Sequence, residues 1–228
     1  EAQAYSKGRG VVVADLNSRV DVAHPALIGH LTTGYDFVAT KASGWAALNQ
    51  SSSSFMDDSS SGILNQSSSS FMDQFSASLL NQSSSSFMDG NPAYSHGTLC
   101  AGIIAVVAPD SMIMPLRVFD DTGSADLFTI SKAIRYAAQQ GAQVINMSFG
   151  TLQNSQAIKN SIDFALSRNV VLVASAGNNN TSAPQYPAAY DGVITTAATD
   201  LTDTKASFSN YGNYVDVDAP GVNIFSSY

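Results

Sequence analysis

The sequence has little cysteine and few basic residues. Cys100 is the single cysteine among 228 residues, so no disulfide can form within the chain. Lysine and arginine total 10 against 18 aspartates and glutamates, and they form no cluster. This excludes the basic stripe with which proteins bind a phosphate backbone, and we expect no nucleic-acid partner.

Long apolar runs and metal-binding motifs are also missing. The longest apolar stretches, such as IIAVVA at 103–108, are far shorter than a membrane-spanning helix of roughly 18 residues, so we expect no membrane partner. CxxC, HExxH and EF-hand patterns do not occur, and we expect no metal and no cofactor. The glycine-containing segment SKGRG at 6–10 precedes the first predicted strand, the wrong side for a phosphate-binding loop, which disfavours nucleotide binding.

The apolar residues predict one α/β domain. Four β-branched runs are typical of buried strands: VVVAD at 11–15, VINMSFG at 144–150, VVLVASAG at 170–177 and VITTAAT at 193–199. Helical spacing predicts one helix around Leu127–Ala137 and another over about 155–168, capped by Ser155 or Asn154. Strands separated by helices favour a doubly wound parallel sheet with helices on both faces. Asp15, Ser148 and the AGN at 176–178 would then lie at carboxyl ends of strands, where functional groups gather.

Residues 41–90 form an insertion with an octad repeat. Five consecutive octads run from Leu48 to Phe87, beginning LNQSSSSF and MDDSSSGI. A period of eight residues does not keep the apolar pairs on one helical face, so we expect short strands joined by serine-rich turns, with the apolar pairs stacked. Such repeating edges would also promote self-association. The alternative, on composition alone, is a disordered serine-rich linker.

Three histidines occur, and His96 is the one with a candidate role. His24 and His30 lie in contexts that suggest structural positions, whereas His96 opens the segment HGTLCAG, whose glycines fit a helix that begins at or just after it. A histidine in such a place is commonly structural, and Asp15 by itself suits a capping or solvated carboxylate. Their function therefore depends on the pattern in the rest of the chain.

That pattern resembles the subtilisin-like (subtilase) serine protease family. The segments VVVADLNSRVDVAHPAL, SHGTLCAGIIA, VINMSFG, VLVASAGNNN and ASFSNYGNYVDVDAPGVNI follow the order of the family's motifs and cover about 175 residues. The resemblance implies a single subtilisin-like peptidase domain over 1–228, secreted or in the cell envelope, that hydrolyses polypeptides by an Asp/His/Ser triad. It implies Asp15 as the triad carboxylate, in direct hydrogen-bonding contact with His96 as the general base, and Cys100 as a core residue.

The resemblance also implies how a substrate would be held. Asn178 would donate its side-chain amide to the oxyanion of the tetrahedral intermediate, an interaction commonly worth about 10²–10³ in turnover. Ser148, Phe149 and Gly150, with Ala176 and Gly177, would pair with an extended peptide as an added strand. The alternative for Asn178 is a turn residue in an asparagine-rich loop.

Three features depart from the family pattern. DLNSRVD places two additional residues between Asp15 and Asp21, and Ala26 stands where many relatives carry an aspartate that helps to bind calcium, so no calcium site is expected. The GTS-type nucleophile segment does not occur, and we expect the nucleophile beyond Tyr228 and the 228-residue chain itself to be inactive. The alternative is a catalytically incomplete subtilase-like module that binds or assembles through its repeats.

Overall fold

The computed structural model describes residues 2–38, 92–121 and 123–227. Its strands are β1 (Val12–Asn17), β2 (Tyr35–Asp36), β3 (Met112–Arg117), β4 (Val144–Met147), β5 (Val171–Ser175), β6 (Val193–Thr199) and β7 (Val217–Pro220). Its helices are α1 (Pro92–Val107), α2 (Leu127–Gln139) and α3 (Gln156–Leu166), after a short 3-10 helix at Ala2–Ala4. The octads and their predicted strands lie outside the described residues.

The described strands form one parallel sheet with the order β2-β3-β1-β4-β5-β6-β7. The chain first builds from β1 towards β2 and β3, and then resumes with β4 on the other side of β1. The strand order therefore reverses beside β1, and ligands of such sheets bind at the carboxyl ends near that point. The predicted doubly wound α/β class is confirmed.

The two faces of the sheet are covered by different helices. Ala14 and Leu16 of β1 belong to the large core that includes residues of α2 and α3. Ile113 of β3 packs instead with Ala101 and Ala105 of α1. Because side chains alternate along a strand, Asp15 and Asn17 point away from the large core, towards the face that α1 covers.

The predicted elements agree with the structure where the sequence signals are strong. The runs at 144–150, 170–177 and 193–199 contain β4, β5 and β6, the run at 11–15 overlaps β1, which extends two residues further, and both predicted helices form. Ser155 caps α3, its hydroxyl accepting a hydrogen bond from the Ile158 N–H at 3.5 Å. The expected start of α1 at or just after His96 is wrong, because the helix begins at Pro92. Proline suits the first turn of a helix because its missing N–H has no partner there in any case.

No helix among the described residues is both long and apolar enough to cross a membrane.

Candidate active site

The candidate site begins on β1, the strand beside which the sheet order reverses. Asp15 and Asn17 are two residues apart, lie on the same face and are 0% and 2% exposed. In the parallel register Asp15 is opposite Asn146 of β4. The neighbouring strand therefore supplies the first partner of this buried carboxylate: Asn146 Nδ2 donates to Asp15 Oδ1 at 2.8 Å.

His96 reaches β1 because α1 lies very close to the turn that follows the strand. A Cβ on Gly97 would lie 2.5 Å from the Arg19 carbonyl oxygen and 2.7 Å from that of Ser18, so only glycine permits this approach. The Gly97 N–H donates to Ser18 Oγ at 3.0 Å, and Thr98 Oγ1 accepts from the Asp21 N–H at 2.9 Å. These contacts fix this part of α1 against the turn, and His96 with it.

The hydrogen-bonding partner of the His96 ring on β1 is Asn17. His96 Nδ1 lies 2.7 Å from Asn17 Oδ1, and the imidazole is 5% exposed. Asn17 Nδ2 in turn lies 3.4 Å from both carboxylate oxygens of Asp15. The three side chains form a row in which Asn17 stands between Asp15 and His96. The family resemblance predicts direct contact between Asp15 and the ring, and in this geometry Asn17 makes that contact instead.

The length of the turn after β1 agrees with this placement of Asn17. Between Asp15 and Asp21 the chain has two residues more than the family pattern. If the turn is counted from Asn17 instead of Asp15, its length matches the family pattern. Asn17 therefore holds, both in sequence and in space, the position that the family resemblance gives to the acid.

Burial governs the ionisation of the site. Desolvation raises the pKa of Asp15 to about 6, although hydrogen bonds from Asn146 and Asn17 partly oppose this shift. Desolvation lowers the pKa of His96 to about 4, so the imidazole is neutral at pH 7. Burial, with the nearby charge of Asp15, raises the pKa of Cys100 to about 12.

Cys100 lies one helical turn after His96 on α1. Its Sγ is 3.7 Å from Nδ1 and 3.8 Å from Nε2 of the imidazole. A thiol with so high a pKa stays protonated at neutral pH and is a poor nucleophile. Cys100 packs against the ring as a buried residue.

The predicted substrate segment follows β4. Ser148 Oγ accepts from Asn146 Nδ2 at 2.9 Å, which connects this segment to Asp15 through one amide. Phe149 is buried and packs edge-on against Phe119, with ring centroids 5.3 Å apart. Phe149 and Gly150 also line an apolar pocket together with Phe119, Leu127, Ile130 and Tyr190. The pocket therefore adjoins the segment that the family resemblance assigns to substrate.

The predicted oxyanion segment follows β5, the next strand of the sheet. Gly177 adopts a φ of +104°, and Asn178 after it is half-buried. Asn210, fully buried, holds the loop: its Nδ2 donates to the Ala176 carbonyl at 2.9 Å and its Oδ1 accepts from the Asn179 N–H at 2.8 Å. Because β1, β4 and β5 are parallel, Ala176–Asn178 lie at the same edge of the sheet as Ser148 and Asn17.

Sequence reasoning missed Asn17, Asn146 and Asn210. A signal existed for Asn17, because a residue two positions after Asp15 on a strand shares its face. Asn146 could have been noticed in the same way, as a polar residue inside an apolar run. Asn210 acts on a loop that lies more than 30 residues away in the chain, and no local pattern indicates that contact.

The arrangement suits proton transfer. The buried imidazole at the carboxyl edge of the sheet is unprotonated at neutral pH and can act as a base, although burial makes it a weaker base than an exposed imidazole. The carboxylate of Asp15 lies on the far side of its partner Asn17. Among the described residues no group of three or more histidine, cysteine, aspartate or glutamate side chains could hold a metal ion.

Comparison with known proteins identifies relatives of this chain. The family model described as the Subtilase family matches residues 8–228. Thermitase of Thermoactinomyces vulgaris is 43% identical over 143 residues, which are 58% of this chain and 51% of thermitase. A thermophilic serine proteinase of Bacillus sp. (strain AK1) is 44% identical over 143 residues, 58% of this chain and 36% of that protein.

Solved structures of subtilisin-like enzymes share the fold of this chain. A cold-adapted subtilisin-like serine proteinase superposes with a TM-score of 0.69 and 26% identity, over 97% of this chain and 67% of that one. Fervidolysin from Fervidobacterium pennivorans, a keratinolytic enzyme related to subtilisin, gives a TM-score of 0.68 and 29% identity over 98% of this chain and 30% of its own. The chain spans about half the length of thermitase and less of some other relatives. With the family model matching nearly all of its length, the chain belongs to the subtilase family.

Proposed function

We propose that this chain carries the greater part of a serine endopeptidase site that cleaves polypeptides, with His96 as the general base. The observation that carries the proposal is the buried His96 ring held against β1, with Nδ1 2.7 Å from Asn17 Oδ1. A serine hydroxyl is a weak nucleophile at neutral pH, and a neutral imidazole would take its proton and return it to the leaving amine.

In this proposal the substrate is an extended polypeptide. Ser148–Gly150 and Ala176–Gly177 follow two neighbouring parallel strands and would bind its backbone between them. The pocket beside Phe149 would receive an apolar side chain. Asn178 would donate to the oxyanion, its loop held in place by Asn210. Asp15 would contribute its negative charge from behind Asn17, without touching the ring.

The nucleophile of this reaction is proposed to lie beyond Tyr228. Ser226 and Ser227, the last described serines, donate their hydroxyls to the carbonyl oxygens of Leu99 and Thr98 on α1, at 2.6 and 3.0 Å. These bonds engage both hydroxyls with the helix backbone. Neither serine is therefore placed for attack. In this proposal the peptidase is secreted or lies in the cell envelope.

A second function has one observation in its favour. Asn17 occupies the position expected of the triad acid and carries no charge, so the imidazolium formed during catalysis would lack a directly bonded carboxylate. A neutral residue there suits a subtilase-like module that binds polypeptides without turning them over, and that self-associates through the octads of residues 48–87.

One experiment separates the two functions. The full-length gene product, the 228-residue chain and the full-length His96→Ala variant would each be treated with a serine-directed phosphonate and assayed on a denatured polypeptide. The endopeptidase proposal expects labelling and turnover in the full-length protein only, and a loss of turnover in the variant. Labelling of the short chain at any serine would show that the nucleophile is misplaced, and an inert full-length protein would favour the binding module.

A further inference from the structure

The orientation of the Asn17 side-chain amide is fixed by two neighbours. Its Oδ1 accepts a hydrogen bond from the Ser18 backbone N–H at 2.8 Å, and a backbone N–H can only donate. Its Nδ2 faces both carboxylate oxygens of Asp15, which only accept when ionised. Turning the amide over would place donor against donor at Ser18 and acceptor against acceptor at Asp15. The oxygen must therefore be the atom that faces His96.

This orientation determines where the imidazole proton lies. Asn17 Oδ1 and His96 Nδ1 are 2.7 Å apart, and two acceptors at that distance would repel each other. A proton between them must belong to Nδ1, because an amide oxygen has none to donate. A neutral imidazole carries one proton, so Nε2 holds the lone pair. Burial of the pair keeps water from substituting for either partner.

We propose that Asn17 is a positioning residue that holds neutral His96 as the Nδ1–H tautomer, and that Ser18 and Asp15 make this possible by preventing the amide from turning. The importance of this tautomer for peptide hydrolysis rests on the function proposed above, since Nε2 would be the atom that takes the nucleophile's proton.

The proposal explains how an asparagine can serve in a position expected to hold an acid. Replacing the triad aspartate by asparagine typically lowers turnover by about 10⁴, because the amide then favours the wrong imidazole tautomer. Here the carboxylate of Asp15 accepts from the amide nitrogen and leaves the oxygen towards the ring. Asp15 and Asn17 therefore share the role of a single acid, since Asn17 orients the ring while Asp15 supplies the charge and orients Asn17.

The proposal is tested by nitrogen NMR on the 228-residue chain labelled with ¹⁵N-histidine. Only His24, His30 and His96 contribute signals, and the His96 signal is assigned by its loss in His96→Gln. At pH 7 we expect His96 with a protonated Nδ1 and an unprotonated Nε2. A protonated Nε2 in the unmodified chain would overturn the proposal, whatever the variants do.

Variants of Asn17 separate positioning from packing. Asn17→Leu removes the acceptor with a side chain of the same branched shape, and we expect the tautomer preference to be lost, whereas Asn17→Asp keeps an acceptor and should retain Nδ1–H. Asn160→Leu, the same change on the exposed face of α3, should alter nothing. A tautomer unchanged in a folded Asn17→Leu chain would contradict the proposal.

This measurement needs no nucleophile and no substrate. A wrong tautomer would therefore leave the endopeptidase proposal to be decided by the phosphonate experiment. An inert full-length protein would in turn leave the positioning role of Asn17 intact.

Discussion

Asp15 and His96 lie on opposite sides of the Asn17 amide, both buried and with pKa values displaced in opposite senses. Burial raises the pKa of Asp15 to about 6 from its ordinary 3.8 and lowers that of His96 to about 4 from 6.5. Each displaced pKa couples ionisation to folding. The pH range over which Asp15 affects stability, from 3.8 to about 6, nearly coincides with that of His96, from about 4 to 6.5.

We predict that these two groups have opposite effects on stability between pH 4 and 6. In this range folded Asp15 keeps a proton that the unfolded chain has released, so its contribution to the free energy of unfolding falls as pH rises, by about 3 kcal/mol in all. Folded His96 lacks a proton that the unfolded chain still binds, so its contribution rises with pH by a similar amount, about 3 kcal/mol.

Urea unfolding at pH 4, 5, 6 and 7 measures these contributions. Relative to the unmodified chain, His96→Gln should lose stability as pH rises from 4 to 6, and Asp15→Asn should gain it. The double variant should return to the pH dependence of the unmodified chain. Parallel curves for all four proteins would contradict the prediction.

Exchanging the two residues of β1 should raise the pKa of His96. The double variant Asp15→Asn with Asn17→Asp keeps the net charge but places a carboxylate directly against Nδ1. An opposite charge at this distance typically shifts a pKa by about 1–3 units in favour of the charged form. An NMR titration of the three histidines measures the shift, with His24 and His30 as internal controls, and an unchanged His96 would refute the prediction.

Cys100 should resist alkylation in the folded chain. Burial raises the pKa of its thiol to about 12, so almost no thiolate exists at pH 8. Iodoacetamide followed by intact-mass measurement should show no addition in buffer and one addition in denaturing urea. Rapid modification of the folded chain would show that the thiol is exposed or activated.

Gly97→Ala should destabilise the chain and separate His96 from Asn17. Alanine would ordinarily stabilise a helix position by about 1 kcal/mol over glycine. At Gly97 the new Cβ would lie within 2.7 Å of two carbonyl oxygens, so we expect a net cost of about 1–3 kcal/mol. Urea unfolding measures whether the free energy of unfolding falls or rises. A rise would contradict the close contact between α1 and the Ser18 and Arg19 carbonyls.

Core truncation should distinguish buried from exposed leucines. Leu172 on β5 is 0% exposed and Leu201 is 85% exposed. Leu172→Ala should lower the free energy of unfolding by about 2–5 kcal/mol, and Leu201→Ala by less than about 0.5 kcal/mol. Similar losses at both positions, measured by urea unfolding, would contradict the placement of β5 in the sheet.

The sequence predicted the strands that are rich in β-branched residues and missed the strands that are short or contain polar residues and proline. The β-branched runs indicated β1, β4, β5 and β6 because strands covered on both faces of a parallel sheet are rich in apolar residues. β3 was missed because its sequence, MIMPLR, contains proline and an arginine, and β2 because it is only two residues long. β7 was missed because its sequence, VDAP, is largely exposed and contains an aspartate and a proline. Pairing with neighbours, rather than local preference, makes these segments strands.

The sequence by itself determined that Asp15, Ser148 and Ala176–Asn178 would meet at one edge of the sheet, because parallel strands share the direction of their carboxyl ends. The family resemblance assigned the contact with His96 to Asp15, but Asp15 and Asn17 point to the same face of β1, and the structure places Asn17 against the ring. That choice depends on how far along β1 the helix α1 lies, and the approach of Gly97 to the Ser18 and Arg19 carbonyls sets this position. A contact between residues 79 positions apart is therefore decided by tertiary packing.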